Sequence, residues 1–221
     1  MSNSGFSSAQ LQAITAGAGP AAVLAGPGCG KTTCLAGRIV YLVEERGYDP
    51  SSILMLSFTA EAARRLRREV HGQLGDRAGD VAIMTLHALG RRVIDTWAGQ
   101  LGYEDRPAVL HQDEARALLV SAADALGWDV GAVSINDLAA SVDRCRLVAE
   151  PEAREADPLS PLATVYEERL RRHGAIDFVA MLSLPLRLFR EYPDALRLLQ
   201  LGYRCVLVDE AQDLVRRITS C

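Results

Sequence analysis

The chain has 221 residues, 49% of them hydrophobic and 24% charged, with a formal net charge of −4. That length can bury the core of one large domain, or of a domain with an insertion, and the acidic balance excludes a protein that is basic all over while leaving room for a local basic groove. Five cysteines, an odd number with no CxxC pair, fit reduced thiols better than a disulfide framework or a zinc site.

The N-terminal stretch "MSNSGFSS" has no basic or apolar signal segment, and no apolar run is long enough to span a membrane, so the expected compartment is the cytoplasm. The first apolar run, "AAVLAG" (21–26), lacks strict alternation and reads as a strand buried on both faces. A glycine-rich stretch follows, then a helix over 30–46 with apolar positions at Leu35, Ile39, Leu42 and Val43 and a stop at Gly47. "ILMLSF" (53–58) is the second strand, and "AEAARRLRREVHGQL" (60–74) is built from strong helix formers with Leu66 and Val70 on one side. "VAIMTL" (81–86) is the third strand, and 85–98 reads as helix. From 99 to 175 there is no strand-like run; three helices are expected near 111–127, 135–149 and 160–173, punctuated by Pro151, Pro158 and Pro161. Residues 176–201 return as helix and lead into a last strand, "CVLVDE" (205–210).

Strands alternating with helices imply a parallel sheet. The expected organisation is an α/β domain in two parts, 1–98 and 176–221, with an all-helical insertion over 99–175. In parallel α/β sheets ligands bind beyond the carboxyl ends of the strands. All four apolar runs end in polar or glycine-rich stretches ("GPGCGKTT", "FTAEAA", "LHALGRR", "DEAQD"), so one site assembled from four distant pieces is expected at one sheet edge.

The chemistry begins with Lys31, the single lysine in a chain whose other basic residues are all arginine. Arginine and lysine differ in shape and hydration, so the single lysine reads either as a position that wants a compact ammonium or as chance survival. It sits in "AGPGCGKT" (25–32), which fits a phosphate-binding loop with Ala25 in place of the first glycine. Gly26, Gly28 and Gly30 permit the backbone angles that turn successive N–H groups around phosphate oxygens. Lys31 would reach the outer phosphates, Thr32 would give its hydroxyl to magnesium, and the helix beginning near Gly30 would point its positive end at the anion. Cys29, within the loop, is read as a small residue that fits there. "VLVDEAQD" supplies the acids: Asp209 to hold Mg2+, and Glu210 to orient and deprotonate an attacking water.

Taken in order, "FSSAQLQAI", "AGPGCGKTT", "LSFTAEAARRLRREV", "TLHALGRRVI", "IDFVAML" and "YRCVLVDEAQDL" resemble the motifs of UvrD/Rep-type superfamily 1 DNA helicases. The resemblance covers the whole chain and is weakest over the helical insertion. It implies a RecA-like P-loop NTPase domain with an incomplete sheet, and an ATP-driven motor moving 3′ to 5′ on single-stranded DNA in DNA repair. By the same resemblance Gln10 reads adenine, Ala25 to Thr33 cradle ATP, and Lys31 and Glu210 are catalytic. Phe58, Thr59, Thr85, His87 and Arg64 then contact the single strand, with Phe58 stacking on a base.

There are departures. Thr33 stands where the family often has an arginine packed on adenine, and Leu86 replaces the usual aromatic before His87. "VRRITSC" after Leu214 does not resemble the family's continuation, so the next motif and the second motor domain are expected to lie outside this chain. The chain is therefore expected to bind ATP, Mg2+ and, weakly, single-stranded DNA, and to be inactive alone as a helicase. Its partners would be a C-terminal motor half or other repair proteins. The alternative is a non-enzymatic nucleotide- or DNA-binding module. An unrelated phosphate-loop kinase is disfavoured, because "DEAQD" has no role there.

Overall fold

The computed structural model describes residues 5–26, 28–131, 134–148 and 150–212. Asp213, Leu214 and the "VRRITSC" segment lie outside them. The chain is mixed α/β with parallel strands, and the described residues divide into two units, one within 5–86 and 197–212 and the other within 87–196.

The first unit is built on a three-stranded parallel sheet. Its strands are β1 (Ile53–Ser57), β2 (Ala82–Thr85) and β5 (Cys205–Val208), in the order β2-β1-β5. The registers Ser57↔Thr85 and Leu56↔Val208 place all three carboxyl ends together. The helices α1 (Ser8–Ile14), α2 (Lys31–Glu44) and α3 (Ala60–Leu74) belong to this unit. In α2, Ala36, Ile39, Val40 and Val43 fall at helical spacing and are buried; in α3, Ala63, Leu66, Val70 and Leu74 do the same. These two stripes close over Ile53, Met55 and Ile83 of the sheet, with Cys205 and Leu207 of β5 at the margin. Arg64, Arg65, Arg67 and Arg68 occupy the other side of α3 and are exposed, although Arg67 also donates to the carbonyl of Ile83.

The expected strand at 21–26 is not formed. The segment is irregular and exposed, Leu24 at 96%. β5 is one of the two edge strands of this sheet among the described residues, and its outward pair Val206 and Val208 is likewise exposed. An apolar run reports a preference for two-sided burial; it becomes a strand only where a neighbour offers backbone partners.

The second unit holds α4 (Leu86–Thr96, from His87 onward), α5 (Gln112–Ala125), α6 (Ile135–Leu147), α7 (Pro151–Glu155), α8 (Ser160–Arg172) and α9 (Ala180–Glu191). A last helix, α10 (Pro193–Gly202), runs across the boundary back towards β5. Leu119 and Ala122 of α5, Leu138, Val142 and Cys145 of α6, and Leu162, Tyr166 and Leu170 of α8 form its core. The stretch expected to lack strands contains two very short ones, β3 (Ala108–Val109) and β4 (Ala175–Ile176), which pair in parallel. Two residues are too few for periodicity to register.

This core also contains a charged hub. Arg146 is 2% exposed and sits on the apolar side of α6, in line with Leu138, Val142 and Cys145. It grips Asp177 through both terminal nitrogens (2.6 and 3.0 Å) and reaches Glu167 at 3.1 Å and Asp143 at 3.3 Å. Asp177 also accepts from the Tyr166 hydroxyl (2.8 Å) and from the N–H of Ala180, the first residue of α9 (2.8 Å). Burial pushes the Asp177 carboxyl up, but Arg146 and these donors outweigh it and hold the carboxyl below its ordinary range.

Candidate functional site

The glycine loop runs from Ala25 to Gly30 and feeds directly into α2, whose first residue is Lys31. Gly28 and Gly30 both have φ of +76°, a conformation that only glycine adopts cheaply. Gly30 has a second reason to be glycine, because a Cβ there would stand 2.9 Å from the Gln10 side-chain nitrogen. Lys31 Nζ donates to the Ala25 carbonyl at 3.2 Å, closing the loop on itself, and lies 3.5 Å from Glu210 Oε1. Thr32 and Thr33 occupy the first turn of α2 and are half-buried.

The acids follow β5. The Asp209 N–H continues the ladder to the Leu56 carbonyl at 2.8 Å, so Asp209 is anchored to the sheet. It is only 9% exposed. Burial, reinforced by neighbouring Glu210, pushes its carboxyl above the ordinary range, with the Glu210 N–H and Lys31 opposing. Glu210 has φ of +51°, uncommon for a residue with a side chain, and turns the chain away from the strand end. Its carboxyl is held below the ordinary range by the Gln212 amide and then by Lys31. An anion that is costly to bury and a hydroxyl-bearing helix start are hard oxygen donors, the set that suits Mg2+. Thr32 and Asp209 thus offer the type of donor that the metal implied by the sequence pattern takes.

Gln10 lies against the loop, with one hydrogen bond to protein backbone at each end of its amide. Its oxygen accepts from the Ser7 N–H (2.8 Å), completing a capping box on α1, and its nitrogen donates to the Cys29 carbonyl at 3.1 Å.

Of the residues expected to meet DNA, Phe58 directly follows β1 and is 38% exposed, while Thr85 ends β2. Thr59 has a structural duty that the sequence reading missed. It is the N-cap of α3, its hydroxyl accepting from the Ala62 N–H at 3.1 Å. An apolar strand followed by Thr and a run of helix formers was the available signal. Arg64 is exposed on α3. In the helical unit, the His87 ring stacks on Phe178 with centroids 3.8 Å apart, and Phe178 is 57% exposed. Phe178 lay inside a quoted motif but was not singled out.

The described residues contain no helix long and apolar enough to cross a membrane. Sequence comparison gives the family. The UvrD/REP helicase N-terminal domain matches residues 6–218. The ATP-dependent DNA helicase UvrD1 of Mycobacterium tuberculosis is 30% identical over 221 residues, covering 95% of this chain. The ATP-dependent DNA helicase PcrA of Staphylococcus aureus is 27% identical over 217 residues, covering 92%. This chain spans about 29% of the length of either relative. With a glycine loop that delivers its lysine to the acid after β5, and with a family match over nearly its whole length, the chain belongs to the UvrD/REP helicase N-terminal domain family.

Proposed function

We propose that this chain is the ATP-binding part of a RecA-like, 3′-to-5′ DNA motor. The observation that carries the reading is Lys31 Nζ, held between the Ala25 carbonyl at 3.2 Å and Glu210 Oε1 at 3.5 Å. A polyphosphate entering the loop competes for that ammonium, and Glu210 is then released to orient and deprotonate water. Thr32 and Asp209 would hold Mg2+, which would neutralise charge on the phosphates when bound. Lys31, the Gly28 and Gly30 backbone and the start of α2 bind the phosphate chain. Phe58, Thr85, His87 and Arg64 supply weak, salt-dependent contacts to a single strand. Stepping along DNA needs two bodies that close and open on it. The chain covers about 29% of its relatives' length, and we assign it nucleotide and strand binding with slow turnover by itself.

The second reading is a module that binds without turnover. It is favoured by the 21–26 segment, which leads into the loop from outside the sheet rather than from a strand. ATP hydrolysis measured with and without single-stranded DNA separates the two, using Glu210→Gln as control. Slow hydrolysis lost in Glu210→Gln supports the motor reading. Nucleotide binding with no Glu210-dependent hydrolysis supports the second. Fast, DNA-stimulated, Glu210-dependent turnover contradicts the assignment of slow turnover to this chain.

A further inference from the structure

α1 has seven residues, too few to hold a helix by itself, so its position is set by what it is fastened to. It is fastened at both ends to the loop and helix that carry Lys31. Gly37 of α2 is buried against it, and a Cβ there would meet Ile14 Cδ1 at 2.8 Å and Phe6 at 3.1 Å, so α1 lies directly on the α2 backbone. One residue further, the Arg38 guanidinium reaches the carbonyls of Ile14 (2.7 Å), Ala16 (2.6 Å) and Gly17 (3.4 Å). Carbonyls at a helix end have no intrahelical partner, and a charged fork satisfies several at once. At the other end, the Gln10 amide links the Ser7 N–H to the Cys29 carbonyl in the glycine loop.

We propose that Arg38 is a positioning residue for the phosphate loop. By clamping the end of α1 onto α2, it holds Gln10 on the Cys29 carbonyl and keeps the loop shaped for a polyphosphate before ligand arrives. The proposal rests on the nucleotide reading of the loop. It gives Gln10 a task separate from any contact with the base, because each end of its amide holds protein backbone. Lysine would not replace Arg38, because a single ammonium cannot span three carbonyls in the same fork.

Calorimetric titration with Mg-ATP and with inorganic tripolyphosphate tests this. Arg38→Ala and Gln10→Ala are each expected to weaken both ligands by about five- to tenfold, the scale of one lost hydrogen bond. The double variant is expected to be no weaker than either single, because both act through one connection. Arg38→Lys should fall between wild type and Arg38→Ala. If Arg38→Ala lowers the thermal midpoint but leaves tripolyphosphate affinity unchanged, or if the two losses multiply, the proposal is overturned. If wild type binds neither ligand, the nucleotide reading itself fails, a result reached before any variant is compared. Should Arg38→Ala not fold, hydrogen exchange in wild type decides. Tripolyphosphate should slow exchange of the Leu11 amide of α1 and of the amide of its C-cap, Thr15, in wild type and not in Gln10→Ala. No slowing in wild type overturns the proposal.

Discussion

Replacing Arg146 with methionine should be the most damaging charge deletion in the helical unit. The side chain is 1% exposed and makes two bonds to Asp177, one to Glu167 and one to Asp143. Without it, Asp177 keeps the Tyr166 hydroxyl and the Ala180 N–H but loses its only charged partner at hydrogen-bond distance among the described residues. Glu167 is better placed, since Arg154 stands at 2.8 Å. The loss is therefore concentrated on one buried carboxylate, and breaking such a pair from one side costs about 3–5 kcal/mol. Both tryptophans, Trp97 and Trp128, lie in this unit, so fluorescence during urea unfolding reports it selectively. The sign of the pH effect follows from Asp177, whose carboxyl is held below its ordinary 3.8. Its contribution is present above 3.8 and lost as pH falls through the lowered value, so acid unfolding should begin at higher pH in Arg146→Met. Pairing the change with Asp177→Asn removes the stranded charge, and the double variant should recover part of the loss. A cost below about 1 kcal/mol for Arg146→Met, or strict additivity with Asp177→Asn, would refute the reasoning.

Gly90→Ala should destabilise the same unit by about 3 kcal/mol or more, because a Cβ there would lie 1.7 Å from the Met181 carbonyl oxygen; an unchanged urea midpoint contradicts the α4–α9 contact. Asp209→Asn should gain stability relative to wild type as pH rises above the ordinary 3.8. A raised carboxyl stabilises the fold only while protonated, and that contribution is lost as pH rises through the folded pKa, whereas asparagine never ionises. Thermal midpoints from pH 4 to pH 7 check the trend, and a widening deficit for Asp209→Asn would reverse the sign claimed for burial. Thr59→Ala should cost about 1 kcal/mol through loss of the α3 cap, with Thr59→Ser nearly neutral; unchanged stability together with lost single-strand binding would assign the hydroxyl to DNA instead.

Much of the frame was legible because it rests on period and composition. The stripe through Ala63, Leu66, Val70 and Leu74 and the helix formers around it set α3 at Ala60–Leu74, and short apolar runs marked β1, β2 and β5. The run at 21–26 has the same composition, yet composition does not say whether a neighbouring strand is at hand, and Val23 and Leu24 are exposed. The loop and the paired acids were legible as motifs, because glycine, lysine and adjacent carboxylates in that order have few other uses. What the motifs left out is the support around them. Arg146 is a charge on an apolar helix side, which reads as an error in the pattern until its three acids, at 143, 167 and 177, are brought to it by the fold. Arg38 looks like one more surface arginine until α1 is laid along α2. Gln10 stood out in the sequence as a motif residue, but its bonding did not, since a side-chain amide's partners depend on where a backbone carbonyl nineteen residues away is placed.

The account stands on Lys31 as the residue that joins the glycine loop to a phosphate chain. Isothermal titration of ATP into wild type and Lys31→Ala, each with Mg2+ and with a chelator, measures this directly. A charge-assisted contact of about 1.5–3 kcal/mol should disappear, weakening ATP by about ten- to 150-fold, and wild-type affinity should fall when Mg2+ is removed. Equal affinities for wild type and Lys31→Ala, whatever the metal, would contradict the assignment of this loop and of the acids that face it.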